Sequence, residues 1–147
     1  MTLSATARSI PGTLRQEVVI GGQHRLITDE PRSVGGDESG PAPHELVPAA
    51  LAACVSTTLV IYARTKEWRL DEVRVEVDYD HRSTPRRFEI KIEFAGDLNE
   101  TRLERLEKVA RSCPVRRAIE AGFEFVETTE VHTRVARLDP VTTGGAS

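Results

Sequence analysis

The chain has 147 residues, 39% of them apolar, and a formal net charge of −3 from 20 Lys and Arg against 23 Asp and Glu. Only seven residues are aromatic (four Phe, two Tyr, one Trp), and the basic residues are scattered among acids with no basic block, which argues against nucleic acid as a partner. That length suits one domain with one modest core, and because a short chain buries a smaller share of its surface, a second copy is expected to complete it as a homodimer.

Residues 1–10 carry no apolar stretch between a charged start and a cleavage site, so they do not read as a secretory signal. Residues 14–20 and 23–28 read as two strands turned by Gly21 and Gly22. Residues 29–43 form a Gly-, Pro- and Asp-rich loop, long enough within a compact domain to imply function or mobility.

A long helix is predicted from Pro43, which fits a first helical turn, to about Arg64. Residues 46–62 are apolar on nearly every face, the pattern of a helix buried all round. Its most apolar stretch, residues 49–63, contains Ser56, Thr57 and Thr58 and is too short to cross a bilayer. A soluble, cytoplasmic protein with no membrane partner is therefore expected. Cys54 lies near the middle of this helix.

Val73, Val75, Val77 and Tyr79 alternate with charged residues, as do Phe88, Ile90, Ile92 and Phe94. Each run reads as a strand with one buried face, the two joined by a loop and laid over the helix. Asn99 is placed to cap a second helix that ends near Ser112, with Leu103, Leu106, Val109 and Ala110 on its apolar face. Pro114 starts a short third helix, residues 123–138 read as a closing strand, and residues 139–147 as a flexible tail on a single domain spanning 1–138.

The chemistry rests on two cysteines, Cys54 and Cys113, 59 residues apart. In a reducing cytosol a paired role is catalytic or redox-sensing rather than a permanent disulfide. The bland alternative is that each is a small buried hydrophobe. Cys113 precedes Pro114 and so falls at a helix N-cap, where unpaired N–H groups favour a thiolate; Cys-Pro can equally well do no more than start a helix. Cys54, buried mid-helix, needs a nearby cation to ionise. His44 lies ten residues before it, about 15 Å along a regular helix, and so cannot touch it. Glu45 can orient a basic side chain from another segment, or simply favour the helix dipole. The four histidines and two cysteines show no Cys-x-x-Cys or His-x-x-x-His spacing, and phosphate- and dinucleotide-binding glycine motifs are absent, so neither a metal nor a cofactor is expected.

Thr28, Asp29, Glu30 and Pro31, then Gly35-Gly36, then the run from Gly40 through His44, Glu45 and Leu46, and then Ala49-Ala50-Leu51-Ala52-Ala53-Cys54, resemble the first cysteine region of the OsmC/Ohr family. Ser112-Cys113-Pro114-Val115-Arg116-Arg117 resembles its second, and Gly96-Asp97-Leu98 before a Leu-rich helix fits between them. The resemblance implies an α+β fold with antiparallel sheets packed on a long buried helix, in an intertwined homodimer with active sites at the interface. It implies a peroxidase of organic, including fatty-acid, hydroperoxides. Cys54 is then the peroxidatic thiol, Cys113 the resolving one, and a dithiol reductant resets the pair. It also implies an arginine that holds the thiolate, oriented by a glutamate at the start of the helix; Glu45 and Arg15 are the nearest matches, with Arg25 and Arg32 as alternatives. Two other readings stand beside this one: a non-catalytic dimer that binds an apolar small molecule or senses redox state slowly, and acyl transfer through Cys54.

Overall fold

The computed structural model describes residues 2–132. Strands β1 (Ala5–Ser9), β2 (Gln16–Ile20) and β3 (His24–Thr28) form an antiparallel sheet in that order, with Ala7 opposite Val18 and Val18 opposite Leu26. The turn between β2 and β3 uses Gly21 and Gly22 at φ 59° and 73°, a region where glycine pays no steric cost. Strand β1 was not expected. Every one of its residues is exposed, so no burial alternation marks it. It is held by the ladder to β2 and by Glu17, which bridges Arg8 and Arg25.

The loop that follows is built on Asp29, which is 1% exposed. Its carboxylate accepts the backbone N–H groups of Glu30 (2.8 Å), Asp37 (3.2 Å) and Ser39 (3.0 Å), and the Ser39 hydroxyl at 2.7 Å. Led by the Ser39 bonds, these donors hold the carboxyl at a pKa of about 2 against an ordinary 3.8. A Cβ on Gly36 would collide with the Glu30 carbonyl, and one on Gly40 with the Ile27 carbonyl. The loop is thus fixed by its own hydrogen bonds.

Helix α1 (Leu46–Thr65) follows a 3-10 turn at Pro43–Glu45. The combined run of 23 residues is long and apolar enough, by length and composition, to cross a membrane, so the 49–63 stretch understated it. One stripe of it belongs to the core: Leu51, Val55, Leu59 and Ala63, four residues apart, are buried. The expectation of all-round burial is corrected, because Val47, Ala50, Ala53, Thr57 and Ile61 are exposed. All the layers that cover α1 lie on its other side.

Those layers are strands β4 (Leu70–Asp80) and β5 (Arg87–Gly96), and helices α2 (Glu100–Ala110) and α3 (Pro114–Ala121). The antiparallel register sets Val73 opposite Phe94, Val75 opposite Ile92, Val77 opposite Ile90 and Tyr79 opposite Phe88, so the predicted apolar rows share one face against α1. Asn99 caps α2 by accepting the Arg102 N–H at 2.9 Å. The core is Leu51, Val55, Leu59, Leu106, Ala110 and Cys113. The first sheet makes at most marginal contact with these elements.

The closing strand does not form over residues 123–132, which carry no ladder because β4 and β5 pair only with each other among the described residues. Phe123, Phe125, Val126 and Val131 are exposed there. The rest of that expected strand, residues 133–138, and the tail expected at 139–147 lie outside the described residues.

Candidate active site

The site is made where α1 meets the start of α3. One turn of α1 beyond buried Leu51 comes Cys54, half-buried, its carbonyl accepting the Thr58 hydroxyl at 2.8 Å. Cys113 stands as the N-cap of α3, with φ −50° and ψ 125° and Pro114 as the first helical residue. Its side chain is wholly buried. Both thiols are free, and Cys54 lies near enough to Cys113 to act on its thiol.

Burial raises the pKa of the Cys113 thiol above its ordinary value, and the facing Cys54 raises it further. The backbone N–H groups of Arg116 and Val115 pull the other way without forming a cap bond, and they do not prevail. Of the two readings open at this helix start, the thiolate-favouring one is therefore outweighed by desolvation. Cys113 is a protonated thiol that faces Cys54.

The other candidates lie elsewhere in the single chain. Glu45 is exposed and accepts the Ala42 N–H at 2.8 Å, closing the 3-10 turn. Arg15 sits just before β2, its N–H donating to Thr13 Oγ1 at 3.1 Å. Its Nε is buried with no hydrogen-bond partner among the described residues, and it forms no ion pair with Glu45. Of the alternatives, Arg25 pairs with Glu17 and Arg32 with Glu38. His44 packs its ring 4.9 Å from His81 and 5.8 Å from Tyr79. Among the described residues no group of three or more His, Cys, Asp or Glu side chains is arranged to hold a metal.

A cleft of about 370 Å³ opens between α1, the start of β5 and α3, with Leu51, Phe88, Ile90 and Ile119 as its apolar lining and Arg86, Arg87 and Arg116 as its cations; neither cysteine lines it. Sequence reasoning passed over the first two arginines because they fall in a connecting loop. Their one signal was position: Arg86 and Arg87 lead directly into the alternating run that begins at Phe88.

A free thiol on a central helix, facing a second thiol at a helix start under an antiparallel sheet, defines a dithiol protein of the α+β class. The chain belongs to the OsmC-like protein family, whose model matches residues 35–128. It is similar to a protein of Psychrobacter arcticus 273-4 described as an osmotic stress induced and detoxification response protein, at 27% identity and a TM-score of 0.66 over 80% of this chain and 87% of that one. It is also similar to an organic hydroperoxide resistance protein OsmC of Legionella pneumophila, at 26% identity and a TM-score of 0.58 over 81% and 89% of the two chains. An OsmC-like protein of Mycoplasma pneumoniae, 18% identical, shares the fold with a TM-score of 0.67 over 82% and 88%. No curated protein matches the sequence.

Proposed function

We propose that this protein is a cytoplasmic, homodimeric thiol peroxidase that reduces organic hydroperoxides. The observation that supports the reading is the nearness of the half-buried Cys54 to the buried Cys113, whose thiol pKa is raised first by burial and further by Cys54. Cys54, as thiolate, attacks the distal peroxide oxygen; the O–O bond breaks, Cys54 becomes a sulfenic acid, and the alkoxide leaves as an alcohol after taking up a proton. The Cys113 thiol then displaces the sulfenic hydroxyl, which departs as water, and a Cys54–Cys113 disulfide forms. A dithiol reductant passes its two electrons and two protons to that disulfide, restores both thiols and becomes a disulfide itself. No metal or cofactor enters this cycle.

Arg15 is the cation assigned to the Cys54 thiolate. Its buried Nε, without a partner among the described residues, supports that role, since a buried N–H donor needs an acceptor. In the dimer of this proposal a second subunit supplies what the single chain leaves apart. The engagement of Glu45 as a turn cap favours a second reading, in which the protein is a non-catalytic dimer that holds an apolar molecule or senses redox state slowly.

The test is intact mass and free-thiol count after one equivalent of an organic hydroperoxide. The wild type should lose both thiols and about 2 Da, with no dimedone adduct. Cys54→Ser should consume no peroxide. Cys113→Ser should give a dimedone-trapped sulfenic acid at Cys54. Reaction no faster than that of a free thiol leaves the second reading in place.

A further inference from the structure

We propose that His44 and His81 form a binding site for one borderline divalent metal ion, of the zinc or nickel kind, which clips the β4–β5 connection to the start of the cysteine helix. The site is separate from the thiols: ten residues, roughly 15 Å by helical rise, divide His44 from Cys54. Its occupancy is therefore independent of what the thiols react with.

Two segments far apart in sequence bring the imidazoles together, each on a backbone held by local hydrogen bonds. His44 lies in the 3-10 turn Pro43–Glu45, which Glu45 closes by accepting the Ala42 N–H at 2.8 Å. His81 follows Asp80, the last residue of β4, whose carboxylate accepts the N–H groups of Arg82 and Ser83, each at 3.1 Å. The two rings also share one support. Tyr79 lies 5.8 Å from His44 and 5.9 Å from His81, and is itself stacked on Phe88 at 4.6 Å. The pair is thus positioned before any ion arrives.

The His44 and His81 ring centroids are 4.9 Å apart, with the planes tilted by 52°. Two imidazoles that ligate one tetrahedral ion through nitrogens about 2 Å from it place their centroids about 5 Å apart. Imidazole suits zinc, nickel and copper, whereas magnesium and calcium take oxygen ligands. Both rings are exposed and line a cleft of about 590 Å³, with Glu30, Glu38, Glu45 and Arg82 around them. Arg32 offsets Glu38 at 3.7 Å, so Glu30 and Glu45 against Arg82 leave the cleft one negative charge in excess, which favours a cation. No third ligating side chain joins the pair among the described residues, so water fills the remaining positions. Motif spacing does not reveal such a site, because its two ligands come from separate elements.

Zinc binding is measured by calorimetry on untagged protein, for wild type, His44→Ala, His81→Ala and, as a control outside the pair, His24→Ala. All three histidines are exposed, so the substitutions leave the core intact, and metal-free melts check that each variant is folded. Wild type should bind zinc saturably, and His24→Ala should match it. Each substitution in the pair should weaken binding about ten-fold or more. Zinc should raise the Tm of wild type and not of the pair variants, since the ion joins two segments only in the folded state. The two thiols are the competing ligands, and cobalt in place of zinc tells them apart, because thiolate ligation gives an intense charge-transfer band that imidazole and water do not. Cys54→Ser/Cys113→Ser should lack that band and keep one site that depends on both histidines. An affinity that His44→Ala and His81→Ala leave unchanged, or no binding beyond that marked by the thiolate band, overturns the proposal.

Discussion

The Cys113 thiol faces Cys54 from a fully buried N-cap, and burial holds it protonated even though a helix begins at the next residue. Alkylation by iodoacetamide should therefore be slower at Cys113 than at a free thiol, with its pH–rate midpoint above that of a model thiol. Cys54→Ser removes the facing sulfur but not the burial, so the midpoint should fall only part of the way. Peptide mapping of the alkylated protein across pH reads both. A Cys113 midpoint at or below that of a free thiol is incompatible with this account.

Asp29 sets a different pH dependence. Its folded pKa is depressed to about 2 from 3.8, so its contribution to stability is complete above about pH 4. That contribution is lost as pH falls through the interval toward 2. Thermal melts of wild type should show a decline in Tm across that window, and Asp29→Asn should lower Tm at neutral pH while flattening the acid slope. Ser39→Ala should act in the same direction, since the Ser39 bonds are the largest cause of the shift. Parallel acid slopes for wild type and Asp29→Asn would remove Asp29 from this role.

The second half of the fold was readable because its chemistry is periodic. Alternation placed Val73, Val75, Val77 and Tyr79, and then Phe88 to Phe94, on one buried face, and the register bears that out. Asn99 and the Cys113-Pro114 pair marked the starts of α2 and α3 by cap chemistry alone. Legibility failed where a contact is long-range. β1 is a strand only because β2 offers it an edge, and residues 123–132 form none because the described residues offer them none. The all-round apolarity of α1 was read as burial, although one chain covers only the Leu51 to Ala63 stripe. In the site, both cysteines stood out by local context. Arg86 and Arg116 line one cleft although they are 30 residues apart, and no spacing encodes that.

Leu59 sits at the centre of that stripe and is wholly buried. Leu59→Ala leaves a cavity between α1 and its covering layer and should cost about 2–5 kcal/mol in urea unfolding. With the thiols one to two turns away, the same variant should also loosen the Cys54–Cys113 contact and slow disulfide formation. A cost below about 1 kcal/mol would mean that the site collapses without penalty, and would contradict the packing described.

The last prediction concerns the other face of α1. Val47, Ala50, Ala53, Thr57 and Ile61 leave an apolar strip in water, with Ile61 58% exposed. The first sheet hardly touches the helical half, and Phe123, Phe125 and Val126 stand exposed beyond α3. Arg15 keeps a buried Nε without a partner. A single copy of a short chain leaves all four of these deficits open, and a second copy of the same chain can close them together. Light scattering at micromolar concentration should give twice the chain mass. Ile61→Glu places a charge in the strip and should shift the protein toward monomer, at little cost to the fold of each chain because Ile61 is not part of its core. If Arg15 acts on Cys54 through that assembly, the Ile61→Glu monomer should also lose peroxide consumption, as Arg15→Ala should in the intact dimer. A wild type that stays monomeric at these concentrations, or an Ile61→Glu variant that remains fully dimeric, places the contact elsewhere.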